Sequence, residues 1–122
     1  MKISIETIPH SDQRYNTCGD YFYRRGVLCI RVSELTSRHE MACIAVHELV
    51  EALLCEAKGV SFDSIDKFDK QHSEINSFAT EPGDDVRCPY YREHQIATVV
   101  ERLLAAELGV NWLSYENHVK EL

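Results

Sequence analysis

The chain changes from a two-residue to a helical hydrophobic period about a third of the way along. Ile3 and Ile5 alternate with polar neighbours, Ile8 follows, and Pro9 ends the run, as expected of a strand that stops where no backbone N–H is available for a ladder. A polar, irregular stretch, His10 to Cys18, leads to Asp20-Tyr21-Phe22-Tyr23, and after Arg24-Arg25-Gly26 comes Val27-Leu28-Cys29-Ile30-Arg31-Val32. This predicts a hairpin with Gly26 at a positive φ in the turn. From Met41 onward the apolar residues surround a helix instead: Ala42, Ala45, Val46, Leu49, Val50, Ala52, Leu53 and Leu54 leave almost no solvated stripe. Ser37 and Glu40 form a capping box before it and Lys58-Gly59 closes it, so a largely buried helix is expected over about residues 38–58.

Ser61 can cap a second helix whose Phe62, Ile65, Phe68 and Ile75 form an apolar face, with its charged residues in water. Thr80-Glu81-Pro82-Gly83-Asp84-Asp85 breaks regular structure. Pro89 suits the first turn of a third helix carrying Ile96, Val99, Val100, Leu103 and Leu104, stopped by Gly109. Asn111 then caps a short terminal helix with Trp112, Leu113, Tyr115 and Val119. The order predicts an α+β fold: a small, mostly antiparallel N-terminal sheet of about three strands followed by three to four helices. At 122 residues and 44% hydrophobic, a single domain over 1–122 is expected.

The buried helix carries ionisable groups that its setting does not explain. His47 and Glu51 lie one turn apart on one face, with Glu48 at its edge. Burying a carboxylate costs several kcal/mol without compensation, which calls for a partner; a metal ion is the simplest. In H-E-x-x-H sites two imidazoles one turn apart bind zinc and the intervening Glu acts as general base. Here His47-Glu48-Leu49-Val50-Glu51 puts a carboxylate in the second ligand position. Zinc is the first expectation, with manganese or iron accommodated by the oxygen donor.

On the third helix His94, Thr98, Glu101 and Ala105 share a polar but small face that permits close approach of another helix. The predicted metal ligands are therefore His47, Glu51, His94 and Glu101, with Glu48 as catalytic base. Asp66, Asp69 and His72 on the second helix offer a further donor, which leaves the third ligand among His94, Glu101 and Asp69. Cys43, one turn before His47, raises a thiolate–imidazole pair, although small apolar packing is the simpler role. Tyr91, one turn before His94, can direct its hydroxyl at the same place.

Thirteen Lys and Arg against twenty Asp and Glu give a net charge of −7, with the basic residues scattered. Nucleic acid and anionic membrane are thus not expected as partners. The five cysteines form no C-x-x-C pair, the N-terminus lacks the apolar block of a signal peptide, and no run reaches the ~18 apolar residues of a membrane span. A cytoplasmic protein with reduced thiols is expected.

Strands followed by a helix bearing HELVE, then a helix with a further ligand, resemble the minimal zincin-like metallopeptidase domain. That resemblance implies His47 as ligand and Glu48 as general base; Glu51 stands where the family has His. Over nearly its whole length, in AVHELVEALLC, EPGDD, PYYREHQIA and VERLLAAELGV, the chain also resembles uncharacterised proteins of bacteriophages and prophages, which implies expression in a bacterial host's cytoplasm. The leading expectation is a metal-dependent hydrolase acting on an amide or similar bond of an unknown substrate. Its rivals are a non-catalytic protein with a structural metal site and a magnesium-dependent nucleotide pyrophosphohydrolase.

Overall fold

The computed structural model describes residues 1–75 and 81–122. Three strands, β1 (Ile3–Ile8), β2 (Gly19–Arg24) and β3 (Val27–Ser33), precede four helices, α1 (Arg38–Ala57), α2 (Phe62–Ile75), α3 (Tyr91–Glu107) and α4 (Trp112–Lys120). The fold is α+β. Two expectations lie outside the described residues: the placing of the Ile75 side chain on the apolar face of α2, and Thr80 as the start of the break.

The sheet is mixed, with β3 central. β2 and β3 form the expected antiparallel hairpin, pairing Arg24 with Val27 across a two-residue turn in which Arg25 (φ 52°) and Gly26 (φ 77°) both take positive φ. Such a turn matches the twist of the flanking strands. β1, by contrast, runs parallel to β3, from Ile3 beside Leu28 to Ile8 beside Ser33. A mostly antiparallel sheet was expected because each strand reads alike in isolation. The parallel ladder follows from the long His10–Cys18 connection, which returns the chain to the sheet at the far side of β3.

That connection begins with a short helical turn, His10–Asp12, and is firmly tied. His10 Nδ1 lies 2.8 Å from Ser33 Oγ, and Arg14 forks onto the buried Asp20 at 2.7 and 3.0 Å while reaching Asp66 of α2 at 2.9 Å. The guanidiniums of Arg14, Arg24 and Arg31 lie 5.2, 5.2 and 4.9 Å from the centre of the Phe22 ring, which is buried.

On β3 the buried positions alternate, with Leu28, Ile30 and Val32 facing the core. α1 packs against β2 and β3 on one side and α3 on the other, and no residue from Met41 to Ala52 is exposed. Ser37 caps α1, accepting from the Glu40 N–H at 3.2 Å; Ser61 and Asn111 cap α2 and α4 in the same way at 3.2 and 2.9 Å. Pro89 lies just before α3, whose N-cap is Tyr90. One hydrophobic cluster joins the sheet to all four helices through Tyr21, Ile30, Ile44, Ile65, Ala105 and Tyr115.

Helix α3 presents an unexpected side to the core. Its buried residues are Glu93, His94, Ala97, Glu101 and Ala105, while Val99 and Leu103 are 56% and 65% exposed. Small Ala97 and Ala105 let the backbones of α1 and α3 approach, and the polar pair between them meets polar partners across the gap. Likewise Asp69 and His72 of α2, expected in water, are both buried. No helix among the described residues is long and apolar enough to cross a membrane.

Ile30 has no exposed surface and sits mid-strand under α1. Ile30→Ala should cost about 2–5 kcal/mol in urea unfolding, whereas Leu103→Ala should stay within about 0.5 kcal/mol. Equal losses would place the core elsewhere.

Candidate metal centre

The close packing of α1 and α3 brings His47, Glu51 and His94 together. His47 Nε2 lies 3.2 Å from Glu51 Oε2 and 3.1 Å from His94 Nδ1, and His94 Nδ1 lies 2.8 Å from the same Glu51 oxygen. The three residues are 7%, 5% and 5% exposed respectively for His47, Glu51 and His94. Three lone-pair atoms thus form a small triangle inside the protein, and this group can hold a divalent metal ion. Metal bonds of about 2.0–2.1 Å in tetrahedral geometry set donor atoms about 3.3 Å apart, close to the spacing here.

Protons satisfy this triangle poorly. A proton on each imidazole can point at Glu51, but then the two N–H groups face one another along the third edge. A cation at the centre is attracted along all three directions at once.

Each histidine is held from behind by a carboxylate. His47 Nδ1 lies 2.8 Å from Glu101 Oε1, and His94 Nε2 lies 3.3 Å from Asp84 Oδ1 and 3.6 Å from Glu81 Oε2. Carboxylates on the far nitrogen fix the tautomer and ring orientation of a metal-binding histidine and leave the near nitrogen free to coordinate. Glu101, expected as a ligand, meets the edge of the His47 ring opposite the triangle and lies outside the group of three donors. The short helical turn Pro82–Asp84 lies directly on the His94 ring: a Cβ on Gly83 would come within 2.3 Å of its Cγ and Nδ1.

Glu48 lines the same cavity, of about 660 Å³, as the three donors. It is half-buried, and a Cβ on Gly19 would lie 2.7 Å from its Oε1, so the missing side chain makes room for it. Among the described residues no hydrogen bond ties its carboxylate down. Burial and the neighbouring Glu51 charge lift its carboxyl well above the usual range, against the pull of His47. An upward shift moves a carboxyl toward the range in which it can exchange protons with substrate or water.

Of the other candidates, Asp69 belongs to a different wall of the cavity. It accepts from Tyr15 OH at 3.0 Å and from Tyr90 OH, and burial raises it to about 7 despite those two bonds. Asp66 is committed to Arg14 and Lys70. Cys43 has no exposed surface and burial, then Glu101, raises its thiol to about 11, so it packs as a neutral group. Tyr91 is 36% exposed and turns away from the cavity; it is Tyr90 whose ring meets His94, at 6.3 Å and 70°. Asp84, Gly83 and Tyr115 were not anticipated. EPGDD reads locally as a turn, and only its place in space gives it a role.

No protein-family model, no curated protein and no solved structure matches this chain.

With no metal bound, the imidazoles carry protons. Burial alone would lower His47, but hydrogen bonds to Glu101 and Glu51 and the Glu48 charge reverse this and raise it to about 11. Burial opposes His94 in the same way, and Asp84 and Glu51 raise it to about 10. Glu51, despite burial, is lowered by the two imidazoles. Histidine pKa values raised on folding from the ordinary 6.5 add stability that is complete below that value and is lost as pH rises through about 10 and about 11. Metal-free protein should therefore lose urea stability between pH 7 and pH 11, and His94→Asn should flatten that slope. An unchanged slope in the variant would mean that other groups carry it.

Proposed function

We propose that this chain is a metal-dependent hydrolase in which His47 Nε2, His94 Nδ1 and Glu51 Oε2 hold one divalent ion and Glu48 is the general base. The mutual spacing of the three donors, 2.8 to 3.2 Å, is the observation that carries the reading. Two imidazoles and one carboxylate match the ligand set of catalytic zinc sites, which leave a further position open for water or substrate. The group contains three donors among the described residues, which favours an open catalytic centre over a closed structural one. The same donors accept ferrous iron or manganese, while an untethered, proton-accepting Glu48 beside them favours hydrolysis and, with it, zinc.

A bound ion would supply Lewis acidity and make a water easier to deprotonate. The protein's own part is then plain. Glu101 and Asp84 hold the two rings, Glu48 takes the proton of the attacking water, and the same carboxyl returns it to the leaving group. The cavity of about 660 Å³ beside the donors is where we place the substrate, a molecule with an amide or ester bond. The three-stranded sheet argues against an all-helical pyrophosphohydrolase. The resemblance of the sequence to phage-encoded proteins would, by implication, put this activity in a bacterial host's cytoplasm.

Metal analysis of protein purified without chelator or affinity tag should find close to one equivalent of a divalent metal, lost in His47→Ala. Glu51→Gln should weaken metal affinity and lower the melting temperature in metal-containing buffer. Glu48→Gln should keep the metal and much of the stability but reduce hydrolysis of an ester or peptide substrate by ~10²-fold or more. Release of the metal by Glu48→Gln as readily as by Glu51→Gln would end the general-base assignment, and a native protein without metal under replete conditions would end the metal reading.

A further inference from the structure

The fourth helix contributes a side chain to the candidate centre without touching it. Tyr115 is 3% exposed, and its hydroxyl donates to Glu101 Oε2 at 2.6 Å while the other oxygen of that carboxylate accepts from His47 Nδ1 at 2.8 Å. We propose that Tyr115 is a positioning residue for the metal site: through Glu101 it fixes His47 with its proton on Nδ1 and its Nε2 lone pair directed at Glu51 and His94. The inference rests on the metal reading given above.

The chemistry of the chain Tyr115–Glu101–His47 has only one consistent direction. A carboxylate accepts and does not donate, so both neighbours must donate a hydrogen bond to it. Burial and the Glu101 charge raise the Tyr115 phenol far above its ordinary value, which keeps the hydroxyl a donor. With an oxygen engaged on each side, the carboxylate plane cannot rotate without breaking one bond, and the His47 ring follows. Without the phenol, Oε2 of Glu101 loses its hydrogen-bond donor.

The position of Tyr115 is itself determined by packing. Its ring belongs to the hydrophobic cluster and meets Trp112 edge-on, with centroids 5.3 Å apart at 86°. His118, one turn further on, binds the buried Glu40 of α1 at 2.8 and 3.0 Å. Helix α4 is thus seated on both helices that supply the donors, and its docking sets the geometry of a ligand two residues removed.

Tyr115→Phe keeps the ring and removes only the hydroxyl. Zinc affinity should be measured by competition with a chromophoric chelator for the wild type, Tyr115→Phe, Glu101→Ala and the double variant, alongside melting temperatures with and without zinc. Tyr115→Phe should weaken zinc binding about tenfold or more and reduce the stabilisation that zinc confers. In the Glu101→Ala background the same change should have no further effect on affinity, because its route to the metal is gone. A hydroxyl of purely structural value would lower both melting temperatures equally and leave affinity unchanged, which overturns the proposal while the metal reading stands. Nitrogen-15 NMR of the zinc-loaded wild type needs no variant to fold: His47 should carry zinc on Nε2 and a proton on Nδ1, and zinc on Nδ1 would overturn the proposal outright. A wild type that binds no zinc, cobalt, manganese or ferrous ion would remove the metal reading and this role with it.

Discussion

Three lone-pair atoms, two from imidazoles and one from a carboxylate, are buried within about one hydrogen-bond length of each other between α1 and α3. The protein interior penalises such an arrangement unless charge is balanced and every polar atom is met. Much of the remaining architecture meets that demand. Glu101 and Asp84 approach from outside the triangle, each satisfying the histidine nitrogen that the centre does not use.

Close approach of backbones is what makes the triangle small. Ala97 and Ala105 on α3 bring it against α1, and the absence of side chains at Gly19 and Gly83 lets a strand end and a short turn lie on Glu48 and His94. Larger residues at these places would separate the donors or displace the ring. The exposed Val99 and Leu103 are the other side of the same choice: α3 gives its small polar face to the interior and leaves aliphatic residues in water.

The cavity next to the centre is built from connections as much as from helices. The His10–Cys18 stretch is pinned by Arg14 to Asp20 and Asp66 and by Tyr15 to Asp69, so a connection whose regular structure is a single short helical turn, His10–Asp12, forms a defined wall. Asp69, between two phenols and raised to about 7 by burial, is a second carboxyl of altered acidity in that wall, separate from the donor group.

By itself the sequence determined the elements and the central suspicion. Hydrophobic period, caps at Ser37, Ser61 and Asn111, and the Arg25-Gly26 turn mark the hairpin and four helices, because these are interactions within a few residues. His47, Glu51 and His94 were legible for a related reason: a charged group on an otherwise apolar helix face has to be compensated wherever the chain goes. What the local pattern lacks is the partner across space. The parallel pairing of β1, the inward face of α3, the supporting place of Glu101 behind His47, and the roles of Asp84, Gly83 and Tyr115 were decided by tertiary packing. Each depends on residues tens of positions apart in the chain, and for a polar side chain burial beside a complementary group reverses the preference for water on which its sequence-based placement relies.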